Sequence, residues 1–434
     1  MTAMRRLLIV AVSVVALLAA LTGTASATND TYFSRQWGLS QVSAPQAWAR
    51  STGSGITIGI VDTGVDIGHP DLAGKVAATA DCIGRPCTAG GGQDAHGHGT
   101  IVSGIAAATT RNGKGIAGMA PDSRLVVAKV LNSSGEGRVE DINNGIRWVV
   151  DSGARVVNLS LGDPNFLVSS VLGTPLRSGI EYAWSRGAVP VLASGNYATG
   201  VGDLGTENYG NVNALVVGAT DRSGNVPSYS SAMGNAKWGL VAPGGAGSGG
   251  ADSNIISTFP MASGGSGYAS AAGTSMAAPH VSGAVALLLA QGLTPAAAVA
   301  RILATTDKTV SCGRGCQGRL NAAAAVGADA AGPTTAAAPA TTRVPRTTVA
   351  RPTTTLPTTT LPPAAAVTST STTAPPRSVQ SADPPELAAP LRMPMPLEAA
   401  PPGRSAAAVV IAALLVVLMG AAVGAVGTRA LRSG

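Results

Sequence analysis

Between residues 55 and 291, short runs rich in β-branched residues alternate with stretches of small and apolar residues at helical spacing. No other feature constrains the fold as tightly. The runs 55–62, 125–130, 155–161, 189–193 and 214–219 have the length and composition of strands buried on both faces. The stretches 99–109, 140–152, 179–186 and 274–291 suit helices; in 140–152, Ile142, Ile146, Val149 and Val150 fall on one side. A short helix is also expected at 44–48. Strands that alternate with helices predict an α/β fold with a mostly parallel sheet covered on both faces. Residues 28–326 are long enough to bury one sizeable core.

The flanks read differently. Residues 1–27 carry Arg5 and Arg6, an apolar stretch over 7–21 and a small-residue Ala25-Ser26-Ala27 site, the pattern of a cleaved secretory signal. From 327 to 405 threonine, alanine and proline dominate; such a segment cannot bury enough apolar area to offset its ordering entropy and reads as a disordered stalk. Residues 406–428 hold no charge, and 23 residues at about 1.5 Å each span a bilayer. Arg429 and Arg432 mark 429–434 as a cytoplasmic tail. The layout predicts an exported domain outside the cell, tethered to the lipid bilayer by one C-terminal transmembrane helix. The net charge of +7 does not indicate nucleic acid, because Arg343, Arg346, Arg351, Arg377, Arg392 and Arg404 are scattered through the stalk.

Four cysteines allow three pairings. In an exported chain disulfides are expected, and loop closure favours the near neighbours Cys82–Cys87 and Cys312–Cys316. Zinc is the rival reading, and no histidine lies near either pair.

The residue types for nucleophilic catalysis fall at strand ends and helix starts. Asp62 closes the first strand, where ligands bind in open α/β sheets. His98 stands in His96-Gly97-His98-Gly99-Thr100, and Ser275 in Gly273-Thr274-Ser275-Met276-Ala277-Ala278-Pro279-His280, at the first turn of the last long helix. A serine nucleophile needs an imidazole to take its proton and a carboxylate to hold that imidazole. Asn196, just past a strand in Ala193-Ser194-Gly195-Asn196, can supply an oxyanion donor. The segment 113–118 formally matches G-x-G-x-x-G but follows a helix, so it is no dinucleotide site.

These motifs, with Asp62-Thr63-Gly64-Val65, resemble those of the subtilisin-like serine peptidases in chain order and wording. The N-terminal Asn29-Asp30, Tyr32-Phe33 and Ala44-Pro45-Gln46-Ala47-Trp48, with 69–76, resemble the thermitase-like branch. The resemblance covers 28–326 and implies a subtilisin-like three-layer fold and a serine endopeptidase that acts as a monomer on protein or peptide substrates. It assigns Asp62 as orienting acid, His98 as general base, Ser275 as nucleophile and Asn196 as oxyanion donor. It implies a substrate strand beside Ser160, Leu161 and Gly162, opposite a wall of Ala193, Ser194 and Gly195. These small uncharged walls point to large apolar or aromatic side chains on the acyl side of the cleaved bond. His96 competes with His98, but the Gly-Thr after His98 matches the family motif; His69 and His280 read as structural.

No cofactor is required for the chemistry. The resemblance also implies a structural calcium site built on Asp30, Asp71 and Asn112, against which Arg111 and Lys114 place positive charge. Only 34 residues lie between Ala27 and Asp62, so the exported chain is expected to fold without a propeptide. Two other readings stay open: a mycosin-like processing protease tied to a secretion system, and a catalytically silent surface-binding module.

Overall fold

In the computed structural model the described residues are 28–161, 175–196, 209, 211–260, 266–328 and 395–396. The chain divides into one unit of Met1–Ala330 with Arg392–Gly434 and another of Ala331–Leu391, which contains none of the described residues. The expected signal segment, almost all of the stalk, and the span 406–428 lie outside the described residues. Among the described residues no helix is long and apolar enough to cross a membrane.

The strands are β1 (Thr57–Asp62), β2 (Val76–Asp81), β3 (Thr88–Ala89), β4 (Arg124–Lys129), β5 (Val156–Leu159) and β6 (Val189–Ala193). They continue with β7 (Leu215–Thr220), β8 (Trp238–Pro243), β9 (Ile255–Pro260), β10 (Ser266–Ala271), β11 (Cys316–Arg319) and β12 (Met395–Pro396). The helices are α1 (Trp37–Gln41), α2 (Ala44–Ala47), α3 (His98–Ala107) and α4 (Val139–Asp151). After them come α5 (Arg177–Ser185), α6 (Thr274–Ala290), α7 (Pro295–Ala304) and α8 (Ala322–Ala325).

Among the described residues nine strands form one sheet in the order β11-β8-β7-β6-β5-β1-β4-β2-β3. Every neighbouring pair is parallel except β2 with β3. The expected mostly parallel α/β fold is therefore what the chain adopts. A second, antiparallel sheet has the order β12-β10-β9, so Met395–Pro396, inside the stretch read as stalk, pairs with β10.

Alternation along each strand sends side chains to two separate cores. Ile58 and Ile60 of β1, Val191 of β6 and Leu215 and Val217 of β7 pack with the α6 residues Val281, Val285 and Leu288. Val61, Val157, Leu192 and Val216 point the other way, against Ile142, Ile146 and Val149 of α4 and Ile180 of α5. Helices thus cover both faces, as the continuous apolar strands require. Helix α6 is buried from Thr274 to Leu289 on every side, which explains its lack of a polar stripe. Disulfides join Cys82 to Cys87 and Cys312 to Cys316.

Because α6 is the centre of one core, its large side chains have nowhere to relax. Leu287 is fully buried. Replacing it with alanine is expected to lower the unfolding free energy by about 2–5 kcal/mol in urea titrations. A loss below about 1 kcal/mol would contradict this packing.

Candidate active site

Parallel strands put all their carboxyl ends on one edge, and β6, β5 and β1 are consecutive neighbours there. Asp62 ends β1, Ser160 follows β5, and Asn196 lies just past β6. Asp62 is fully buried, and its Oδ1 accepts from Thr63 N at 2.7 Å and pairs with His98 Nδ1 at 2.7 Å.

His98 is the first residue of α3, and the glycines around it permit its approach to β1. A Cβ on Gly99 would stand 2.1 Å from Gly64 O, and one on Gly97 2.1 Å from the Phe259 ring. Gly97 also has φ 103°, a left-handed backbone that favours glycine. Of the two adjacent histidines, His98 is the one bonded to Asp62. His96 has its ring centroid 6.3 Å from that of His98, and its buried Nδ1 has no hydrogen-bond partner among the described residues.

Ser275 enters the same edge through a mutual bond with β5. Pro279 lies inside α6 and has no N–H to give the carbonyl four residues back, which belongs to Ser275. That carbonyl accepts instead from Ser160 Oγ at 2.8 Å, while Ser275 Oγ donates to Ser160 O at 3.2 Å. Behind the pair, Asn158 Nδ2 donates to Ser160 Oγ at 2.9 Å and Ser282 Oγ donates to Asn158 Oδ1 at 2.8 Å. Asn158 is a site residue that the sequence reading passed over. Its only signal was one amide in an otherwise apolar strand.

Asn196 is held from the helix as well. Its Oδ1 accepts from Thr274 N at 2.9 Å and Thr274 Oγ1 at 3.0 Å, so its amide nitrogen is the group with hydrogens to give. Gly195 N donates to Thr274 Oγ1 at 3.1 Å, while Ser194 Oγ turns away to Ser231 O at 2.9 Å. Ala193 and Ser194 are buried and Leu161 is half-buried; Gly162 lies outside the described residues.

Burial works to lower the proton affinity of His98, but the charge and hydrogen bond of Asp62, with the charge of Asp94, outweigh it. The imidazole is raised above its usual value. His96 is lowered, by burial first and by His98 next. Among the described residues, then, a carboxylate, an imidazole, a hydroxyl and an amide gather at one rim, the set that acyl transfer requires.

The residues implied for calcium also come together. Asn112 N donates to Asp30 Oδ1 at 3.1 Å, and Asn112 Nδ2 to Asp71 Oδ1 at 2.9 Å. Tyr268 donates to Asp71 Oδ2 at 3.1 Å; burial raises its phenol well above the usual range, with Asp71 and Asp30 adding to the effect. Two carboxylates and an amide from three segments meet there. The amide turns its Nδ2 to Asp71 while its Oδ1 accepts from Lys114 N at 2.8 Å, so a hard cation, which takes oxygen ligands, would have the two carboxylates at hand and would need the amide turned over. Among the described residues no three His, Cys, Asp or Glu side chains form a metal-binding group.

Residues 53–350 match the subtilase family. The chain is 41% identical over 302 residues to thermitase of Thermoactinomyces vulgaris, covering 69% of this chain and 98% of that one. It is 42% identical over 255 residues to subtilisin Savinase of Lederbergia lenta, covering 58% and 83%. A solved protease of Pseudoalteromonas arctica PAMC 21717 superposes with a TM-score of 0.60 at 31% identity, over 70% of this chain and 99% of that one. The relatives and the parallel sheet agree: the chain belongs to the subtilase family and is a serine endopeptidase.

Proposed function

We propose that the chain hydrolyses peptide bonds through Ser275, His98 and Asp62, as an exported enzyme tethered to a membrane. The single observation that carries the catalytic assignment is the 2.7 Å bond between His98 Nδ1 and the buried Asp62 carboxylate. That bond fixes the imidazole with its proton on Nδ1 and leaves Nε2 free to accept.

The Ser275 hydroxyl leaves Ser160 O, gives its proton to His98 Nε2 and attacks the scissile carbonyl carbon. Asp62 stabilises the imidazolium so formed. The developing oxyanion takes hydrogen bonds from Ser275 N, in the free first turn of α6, and from Asn196 Nδ2. His98 then hands the proton to the leaving amine, and a water repeats the sequence on the acyl-enzyme. The substrate lies extended along Ser160, Leu161 and Gly162, against the wall of Ala193, Ser194 and Gly195. Small walls favour a large apolar or aromatic residue before the cleaved bond.

The proposed layout runs from a signal peptide at 1–27 through a peptidase domain at 28–326 and a stalk at 327–405. A membrane helix at 406–428 and a tail at 429–434 complete it. What supports it is the uncharged run of 23 residues followed by Arg429 and Arg432. A thermitase-like endopeptidase is favoured over a processing protease by the near-complete coverage of thermitase.

The test is covalent. A fluorophosphonate is expected to add one phosphonyl group at Ser275, found by peptide mass spectrometry, and the adduct should vanish in Ser275→Ala. An unlabelled wild-type protein, or an adduct elsewhere, would overturn the assignment.

Calcium, held by Asp30, Asp71 and Asn112, would serve stability alone and take no part in the chemistry. Millimolar CaCl2 is then expected to raise Tm by at least about 3 °C over a chelated sample. Identical melts would remove the ion from the account.

A further inference from the structure

The mechanism above leaves one buried acid beside the site without a part to play. Asp94 is 5% exposed, four residues before His98. Its carboxylate gathers five donors. Oδ1 accepts from Thr63 Oγ1 at 2.9 Å, His96 N at 2.9 Å and Gly97 N at 2.8 Å. Oδ2 accepts from Thr100 N at 2.9 Å and Thr100 Oγ1 at 2.6 Å.

Those donors come from residues that flank both partners of the Asp62–His98 bond. Thr63 directly follows Asp62, and its N–H is bonded to the Asp62 carboxylate at 2.7 Å. The Thr63 hydroxyl donates to Asp94 while accepting from Gly99 N at 2.9 Å, one residue past His98. The other donors, at residues 96, 97 and 100, bracket His98 on its own loop and helix. One carboxylate therefore clamps the end of β1 to the start of α3, with His98 and Asp62 between the jaws.

A clamp of this kind needs a charge. Five N–H and O–H groups converge on two oxygens; a carboxylate has about four lone-pair sites, so the three donors on Oδ1 share its acceptor capacity, and only the ionised group has acceptors alone on both oxygens. An amide in its place would turn two hydrogens toward groups that are themselves donors. The same buried charge is a second negative pole near the imidazole, acting with Asp62.

We propose that Asp94 is a positioning residue of the catalytic site: it sets the Asp62–His98 distance through Thr63 and the loop N–H groups. The inference rests on the reading of His98 as general base. The charged and titratable groups around the imidazole are Asp62 at the end of β1, Asp94 and His96 on the loop, and Lys129 at the end of β4. Against the burial that opposes it, Asp62 by its charge and hydrogen bond, and Asp94 by its charge, raise the imidazole's proton affinity.

The sign of the pH effect follows. Activity requires neutral His98, so kcat/KM rises as pH climbs through the imidazole pKa. With both carboxylates present this acid limb lies above the ordinary imidazole value of 6.5. Removing the charge at position 94 weakens proton binding and moves the limb to lower pH.

The experiment compares the full-length wild type with Asp94→Asn and Thr63→Val, using a chromogenic peptide and active sites counted with a fluorophosphonate. Per labelled site, Asp94→Asn is expected to lose on the order of 10- to 100-fold in kcat, the scale of a small misplacement of catalytic groups. KM should stay within about two-fold, and the acid limb should move to lower pH. Thr63→Val breaks the link to β1 but keeps the charge, so kcat should fall with the acid limb where it was. A purely structural role would reduce the amount of labelled enzyme and leave kcat per site and the acid limb unchanged, which overturns the proposal. If Asp94→Asn yields no folded protein, a wild-type kcat in Thr63→Val overturns it equally. Failure of the wild type itself to label would instead overturn the peptidase reading.

Discussion

The site depends on a reciprocal bond between a helix and a strand. Pro279 deprives the Ser275 carbonyl of its partner inside α6, and Ser160 Oγ supplies one, while Ser275 Oγ reaches back to Ser160 O. An unsatisfied buried carbonyl costs about 1–3 kcal/mol, so the proline makes docking on β5 close to obligatory. The helix cannot slide or rotate without leaving polar groups unpaired. Asn158 and Ser282 extend the tie one layer deeper.

From that anchor the rest follows through sheet topology. With β5 next to β1, the residue after β5 and the last residue of β1 are neighbours on the carboxyl edge. Asp62 thus comes near the start of α6, and α3 brings His98 down on it. Gly97 and Gly99 leave no side chain where Phe259 and Gly64 stand, so the helix start closes on the strand end. The buried Asp62–His98 bond can then oppose desolvation and keep the imidazole basic.

Much of this arrangement was legible in the sequence. The β-branched runs at 55–62, 125–130 and 189–193 mark β1, β4 and β6 to within two residues, because strands buried on both faces are continuously apolar. Other strands, β2 and β8 among them, carry no such mark. The first reads Val-Ala-Ala-Thr-Ala-Asp and the second Trp-Gly-Leu-Val-Ala-Pro, and alanine, glycine and proline carry weak strand signals. Their place is set by pairing with β4 and β7. The motif residues Asp62, His98, Asn196 and Ser275 stood out by their glycine-rich surroundings. Asn158 and Asp94 did not, because a single amide in a strand or a single acid in a loop gains meaning only from the donors that the fold brings to it.

The central claim is that Ser275, His98, Asp62 and Asn196 act on one reacting carbon. A crystal structure with a peptide boronic acid tests it most directly, because the tetrahedral boronate resembles the intermediate. The account predicts boron bonded to Ser275 Oγ, with one boronate oxygen about 2.7–3.1 Å from both Ser275 N and Asn196 Nδ2. His98 Nε2 should bond to the adduct while Nδ1 keeps Asp62. An adduct whose oxygen misses both donors, or a His98 ring turned away from Asp62, would contradict it.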